Sequence, residues 1–448
     1  MATAAWCVCD KDTITRRDRR GQNIDLSYDV LHRVTSRAGS LTSTWTYTVN
    51  SLVVTATQPN VATVTTYPSL LGPPDSVKTV LNSKTYWQRY RYTSAGLDSV
   101  FFTGSQDATH LTGRRYLYNA TTGALDSIRL GGSRTWVAYD ATLATTAVDF
   151  PGSPSITRTM GSLQGPLTTT TEAANNTVFE RWLGFNALGQ IDRHLRQTAK
   201  VGRWFAYDSL GQVRAARNRL RTPEGTLPGC PNFDYGMSGS CTPNIDYVTL
   251  DSVAFGYDAA GNRTDLGGTY TTGNRITAFA SCTYKTDAAG NVVRRAGGSP
   301  CVPIDTLLWT KEGWLDSLKM GGTGIKFLYD TDGRLTVKRV NGMVVSQFLW
   351  DGANLLAELN GTADSVLPEY SYYGMDVPHA VIKQPAGTRL YARTDGLGNV
   401  LALTDTSSAI RTSYGYDDWG KLTNRVSITS RCFSCDHRMI QARVRWFD

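Results

Sequence analysis

The stretch Tyr329-Asp330-Thr331-Asp332-Gly333-Arg334-Leu335 decides how this 448-residue chain is read. Before it stands Gly324-Ile325-Lys326-Phe327-Leu328, and after it Thr336-Val337-Lys338-Arg339-Val340. Both flanks mix apolar and polar positions and are rich in β-branched and aromatic residues, a pattern that suits half-buried strands. Between them, Asp330 can hydrogen-bond the backbone two residues on, and Gly333 accepts positive φ without a Cβ clash. Strand, Asp-Gly turn, strand is a β-hairpin. A second hairpin signal, Asn341-Gly342, follows at once.

The phrase recurs along the chain. It reads Tyr207-Asp208 to Gly211, Tyr257-Asp258 to Gly261, and, less fully, Phe185-Asn186 to Gly189 and Tyr118-Asn119 to Gly123. Phe185 and Tyr207 lie 22 residues apart, and Tyr118 and Tyr139 lie 21 apart. A period near twenty is two short strands and two turns, about one hairpin per copy. A lone hairpin is marginal in water, so the copies must stack to bury their apolar faces. The expected fold class is therefore all-β, a long antiparallel ribbon of hairpin repeats. A variant phrase, Gly/Ala-Leu-Asp-Ser, occurs at Leu97-Asp98-Ser99, Leu125-Asp126-Ser127 and, after Trp314, Leu315-Asp316-Ser317. One aspartate per copy falls short of a calcium shell of about six to eight oxygens, so these read as strand starts.

Length alone would suggest about three domains, but the repeats favour one continuous array. Hydrophobic residues make up 41% of the chain, enough for a core and against wholesale disorder. No apolar run approaches the roughly eighteen residues of a membrane-spanning helix, and the first residues lack the basic start and apolar stretch of a signal peptide. The net charge of +8 comes from 46 basic and 38 acidic residues. Its tightest run, Arg16 to Arg20, reads as a solvated strand flank, and nucleic acid is not an expected partner. The eight cysteines fall into close pairs. Cys230 with Cys241 brackets a Pro/Gly-rich insert and Cys282 with Cys301 brackets a hairpin, so both are expected to be loop-closing disulfides of an oxidising compartment. Cys432, Cys435 and His437 supply at most three ligands in one place, short of a structural zinc site.

The phrase Tyr-Asp-x-x-Gly-Arg/Asn-Leu/Val is the one for which the YD-repeat, or Rhs-repeat, family is named, and the chain resembles that family along essentially its whole length. The C-terminal stretch is the most specific. Tyr391 to Asp405, with Asp395 and Gly398 inside it, resembles the family's Tyr-x-x-Asp-x-Leu-Gly-Ser/Asn-Val phrase. Tyr414-Gly415-Tyr416-Asp417-Asp418-Trp419-Gly420 and Arg443 to Asp448 resemble two further core phrases. On this resemblance residues 1–390 are a repeat array, weakest at 142–176, and residues 391–448 begin the Rhs repeat-associated core. The family would continue into a plug and a variable toxin, so the chain reads as a piece of a longer gene.

The resemblance implies a ribbon that spirals into part of a hollow, cocoon-like shell around a toxic C-terminal domain, as in polymorphic toxins and the C components of Tc-type toxins. Its partners would then be the toxin domain or a capping chain, and its place the cell exterior or surface, reached as part of a larger protein. No cofactor or metal is expected. No catalytic constellation is legible: the five histidines, His32, His110, His194, His379 and His437, stand in different repeats, away from any nucleophile motif. His32 occupies the turn place other copies give to glycine. Two other functions remain open. With 22 Tyr and 11 Trp, exposed aromatics could read carbohydrate at a cell wall or surface. An open β array with free edges would instead suit an inactive gene remnant.

Overall fold

The computed structural model describes residues 13–17, 20–48, 53–69, 73–104, 111–152, 155–160, 166–173, 177–196, 201–221, 247–361, 365–374, 377–394, 398–417 and 419–427. Among them it has 36 strands and one 3-10 turn, Asp265–Gly267, and no α-helix. The strands run as antiparallel neighbours in chain order. Ile191–Arg196 pairs with Val201–Tyr207, which pairs with Val213–Arg221. Leu315–Met320, Thr323–Tyr329 and Leu335–Val340 repeat the arrangement. The all-β antiparallel ribbon expected from the repeats is the observed fold. Period-2 patterning places one set of side chains inside and the other at the surface. In Lys84–Thr93, Tyr86 and Gln88 are buried while Trp87 is half-buried and Arg89 exposed.

The chain forms two compact units, one of residues 1–93, 99–113 and 257–367, the other of residues 94–98, 114–256 and 368–448. In the first, Ala62, Leu81 and Tyr86, from early strands, share a core with Val337, Leu349, Leu356 and Leu359 from late ones. Leu356 is 1% exposed. Burying such a side chain contributes about 1.5–3 kcal/mol, and truncating it to alanine costs about 2–5 kcal/mol. Polar side chains lace the same strands together. Arg20 donates to the Trp309 and Thr310 carbonyls at 3.2 and 2.5 Å, Arg37 to Thr331 at 3.1 Å, and Gln88 to Trp350 at 2.7 Å. Arg20, expected on a solvated flank, is thus tied down, its side chain only 13% exposed and 3.8 Å from Asp287.

The second unit repeats the plan. Leu130, Val148, Phe150 and Ile156 form a core with Ala380, Ile382 and Tyr391. Arg114 donates to the Tyr370 carbonyl and pairs with Glu369 at 3.4 Å, both side chains buried. In the first unit Cys282 and Cys301 are joined by a disulfide that closes the hairpin of Cys282–Thr286 and Val292–Gly297. Cys230 and Cys241 lie outside the described residues.

Candidate functional site

A repeat protein of this kind works through its repeat unit, and the unit is visible at Asp330. The Asp330 N–H donates to the Arg334 carbonyl at 3.0 Å and the Gly333 N–H to the Asp330 carbonyl at 3.2 Å. Gly333 has φ +81°. This is the three-residue hairpin loop whose last position needs the left-handed region. Asp330 Oδ1 accepts from the backbone N–H groups of Asp332 and Arg334, both at 2.9 Å. Its Oδ2 accepts from Arg334 Nε at 2.7 Å. One carboxylate thereby satisfies loop donors that no strand can reach. A register shift between Leu328 and Tyr329 swings the strand end into the loop.

The same geometry stands at Asp208 with Gly211, Asp258 with Gly261, and Asp417 with Gly420, each Oδ1 accepting from the N–H groups two and four residues on at 2.8–2.9 Å. Tyr207 and Tyr416 end strands before their loops, whereas Tyr257 stands in an isolated bridge with Arg263. Gly398 has φ +82°, while Asp395 lies outside the described residues. The hydrogen bonds from Arg33 hold the Asp29 carboxyl below the usual range, and those from Asn262 do the same for Asp258.

Three further copies do without glycine. At Asp29, Asp140 and Asp405 the left-handed place is taken by His32, Leu143 and Ser408, at φ +58°, +63° and +64°. Each aspartate Oδ1 makes the same pair of backbone contacts, at 2.8–3.0 Å. Glycine is therefore not required at the left-handed place when the aspartate contacts are present. A further loop substitutes threonine: Thr310 Oγ1 accepts from the Trp314 N–H at 3.1 Å.

At six loops the aromatic residue ahead ties the loop to the one before. Tyr329 Oη donates to the Leu315 carbonyl at 2.7 Å, Tyr207 to Ile191 at 2.6 Å, Tyr416 to Val400 at 2.7 Å and Tyr47 to Val34 at 2.8 Å. Trp309 and Trp350 do it through Nε1, to Val292 and Leu335, both at 2.8 Å. Every acceptor lies two residues beyond the left-handed residue of the preceding loop. A short oxygen-bearing side chain, most often aspartate, thus shapes these turns, and the aromatic ties each of the six to its neighbour. Burial, with Asp192 or Asp316 nearby, pushes the Tyr207 and Tyr329 hydroxyls up, so they remain donors.

The three Leu-Asp-Ser aspartates face cations instead of one another. Asp126 lies 3.2 Å from Arg134, Asp98 lies 3.5 Å from Arg115, and Asp316 pairs with Lys326. Among the described residues no three His, Cys, Asp or Glu side chains converge as metal ligands, and no helix is long and apolar enough to cross a membrane.

One histidine does meet a hydroxyl. His379 Nδ1 lies 3.0 Å from Ser371 Oγ and Nε2 lies 2.9 Å from Thr135 Oγ1. A neutral imidazole has one donor and one acceptor nitrogen, and two hydroxyls serve both. All three residues are at most 1% exposed, so a substrate does not reach the pair. Burial, with Arg114 adding to it, lowers the His379 pKa to about 3. Nearby, Arg393 Nε donates to Thr404 at 2.9 Å and its guanidinium lies 3.9 Å from the Phe150 ring centre. These are buried polar contacts that bind strands together.

No curated protein matches the chain in sequence. In structure it is similar to TcdB2-TccC3 without its hypervariable C-terminal region, with TM-score 0.60 and 13% identity over 92% of this chain and 24% of that one. It is similar also to the Photorhabdus luminescens Tc holotoxin pore, with TM-score 0.59 and 14% identity over 91% of this chain and 24% of that one. A crystal structure of TcdB2-TccC3 gives TM-score 0.59 and 13% identity over 93% and 26%. The chain therefore spans about a quarter of the length of each, and the likeness is one of fold. In sequence, residues 82–427 match the teneurin YD-shell family, and with most of its length inside that match the chain belongs to the YD-shell family.

Proposed function

We propose that this chain is a stretch of wall in a hollow β shell that encloses a toxic C-terminal polypeptide for delivery to another cell, and that it carries out no catalysis itself. Its partners are the enclosed domain or a chain that caps the shell, and its place of action is outside the producing cell. Within that reading, residues 1–390 are repeat array, residues 391–448 open the Rhs-associated core, and the Tyr-Asp-Gly turns are its structural sites. The observation that carries the reading is the YD-shell match over residues 82–427, joined to a fold like that of TcdB2-TccC3. The linked loops supply the physical reason: an aromatic clamp between successive turns repeats one geometry along a sheet edge. Limited proteolysis of the natural polypeptide that contains these residues tests it. A downstream segment that survives until the β array unfolds supports enclosure; a segment cut at once under native conditions contradicts it.

A further inference from the structure

Arg37, Gln58, Glu312, Trp314, Lys326 and Tyr329 line a cavity of about 120 Å³ in the first unit. It holds several water molecules' worth of space. One wall is aromatic, with the Trp314 and Tyr329 ring centres 5.2 Å apart. Gln58 is 4% exposed, and its Oε1 accepts from Ser43 Oγ at 2.6 Å. Among the described residues its Nε2 has no protein partner, and neither does Arg37 Nε. A buried N–H without an acceptor is costly, so these two donors call for an occupant that accepts hydrogen bonds.

The lining also sets the occupant's charge and polarity. Arg37 and Lys326 balance Glu312 and Asp316, which leaves no net charge to attract an ion. Glu312 Oε1 accepts from the Ser40 N–H at 3.1 Å, and Asp316 Oδ1 from Lys326 Nζ. A carboxylate has about four acceptor sites, so both can also receive hydroxyl donors. A neutral occupant with an apolar face, several hydroxyl donors and several acceptors meets every one of these conditions. We propose that the cavity takes one pyranose ring of a neutral sugar, its face on the aromatic wall and its hydroxyls between Gln58 and Glu312.

Isothermal titration of the 448-residue chain with methyl glucoside, methyl galactoside and N-acetylglucosamine, with glucuronic acid as a charged comparator, tests this. The expected result is a dissociation constant of about 1 mM for at least one neutral sugar, the strength of a ligand of about a dozen non-hydrogen atoms. Glu312→Ala and Gln58→Leu should each weaken it about tenfold, the loss of one hydrogen bond made with a charged or buried group. Should Gln58→Leu fail to fold, the half-buried Glu312→Ala carries the test alone. No heat with any neutral sugar, unchanged affinity in the folded variants, or tighter binding of glucuronic acid would each overturn the proposal.

Discussion

Acid should weaken the second unit in part through one buried side chain. His379 is fully buried between Ser371 and Thr135, with Arg114, Tyr373 and Tyr391 around it, and its pKa falls to about 3. The unfolded chain takes up the proton near pH 6.5, so below that pH the unfolded state binds more protons and stability falls as pH falls. The loss is about 1.4 kcal/mol per pH unit between 6.5 and 3, or about 2.7 kcal/mol by pH 4.5. Urea unfolding at pH 7.5 and 4.5 should show it as a drop in midpoint. His379→Gln keeps an amide donor and acceptor for the two hydroxyls and costs about 1 kcal/mol at pH 7.5. It should abolish the histidine part of the acid loss, so that the variant overtakes the natural chain at pH 4.5. Parallel pH dependences for the two proteins would refute the reasoning.

Other substitutions test the repeat unit. Tyr329→Phe removes the donor to the Leu315 carbonyl and should cost about 1 kcal/mol, with faster amide exchange at the neighbouring loops; unchanged exchange would show that the aromatic only fills space. Asp330→Ala strips two backbone contacts and the Arg334 pairing from a residue 3% exposed, and should cost about 2–4 kcal/mol in chemical unfolding, whereas Asp330→Asn should keep most of it. Gly152→Ala should prevent or greatly weaken folding, because at φ +85° its Cβ would stand 1.6 Å from the Thr406 carbonyl oxygen. Gly123→Ala, at φ +69° and with nothing among the described residues within 4 Å of its Cβ, should cost only about 1–2 kcal/mol by thermal melting.

The loops were legible because their determinants are local. An aspartate reaches only its own turn, and Gly333 needs its left-handed φ whatever surrounds it. His32, Leu143 and Ser408 show the limit of reading glycine as the marker, since the carboxylate contacts hold the loop even where φ carries a penalty. Contacts between distant strands left no trace in the order of residues. Arg20 reaches Thr310 and Arg37 reaches Thr331 across almost three hundred positions, so the basic surplus looked solvated. His379 meets Thr135 across 244 positions, and neither residue sits in a motif. The cavity at Gln58 and Trp314 arises in the same way, from strands far apart in sequence.

Cryo-electron microscopy of the full natural polypeptide that carries these residues tests the central claim most directly. The account predicts a closed β wall in which this chain contributes successive hairpins, with density for a second, enclosed polypeptide on the inner side. A wall that stays open, or an interior filled only by the chain's own strands, would contradict it.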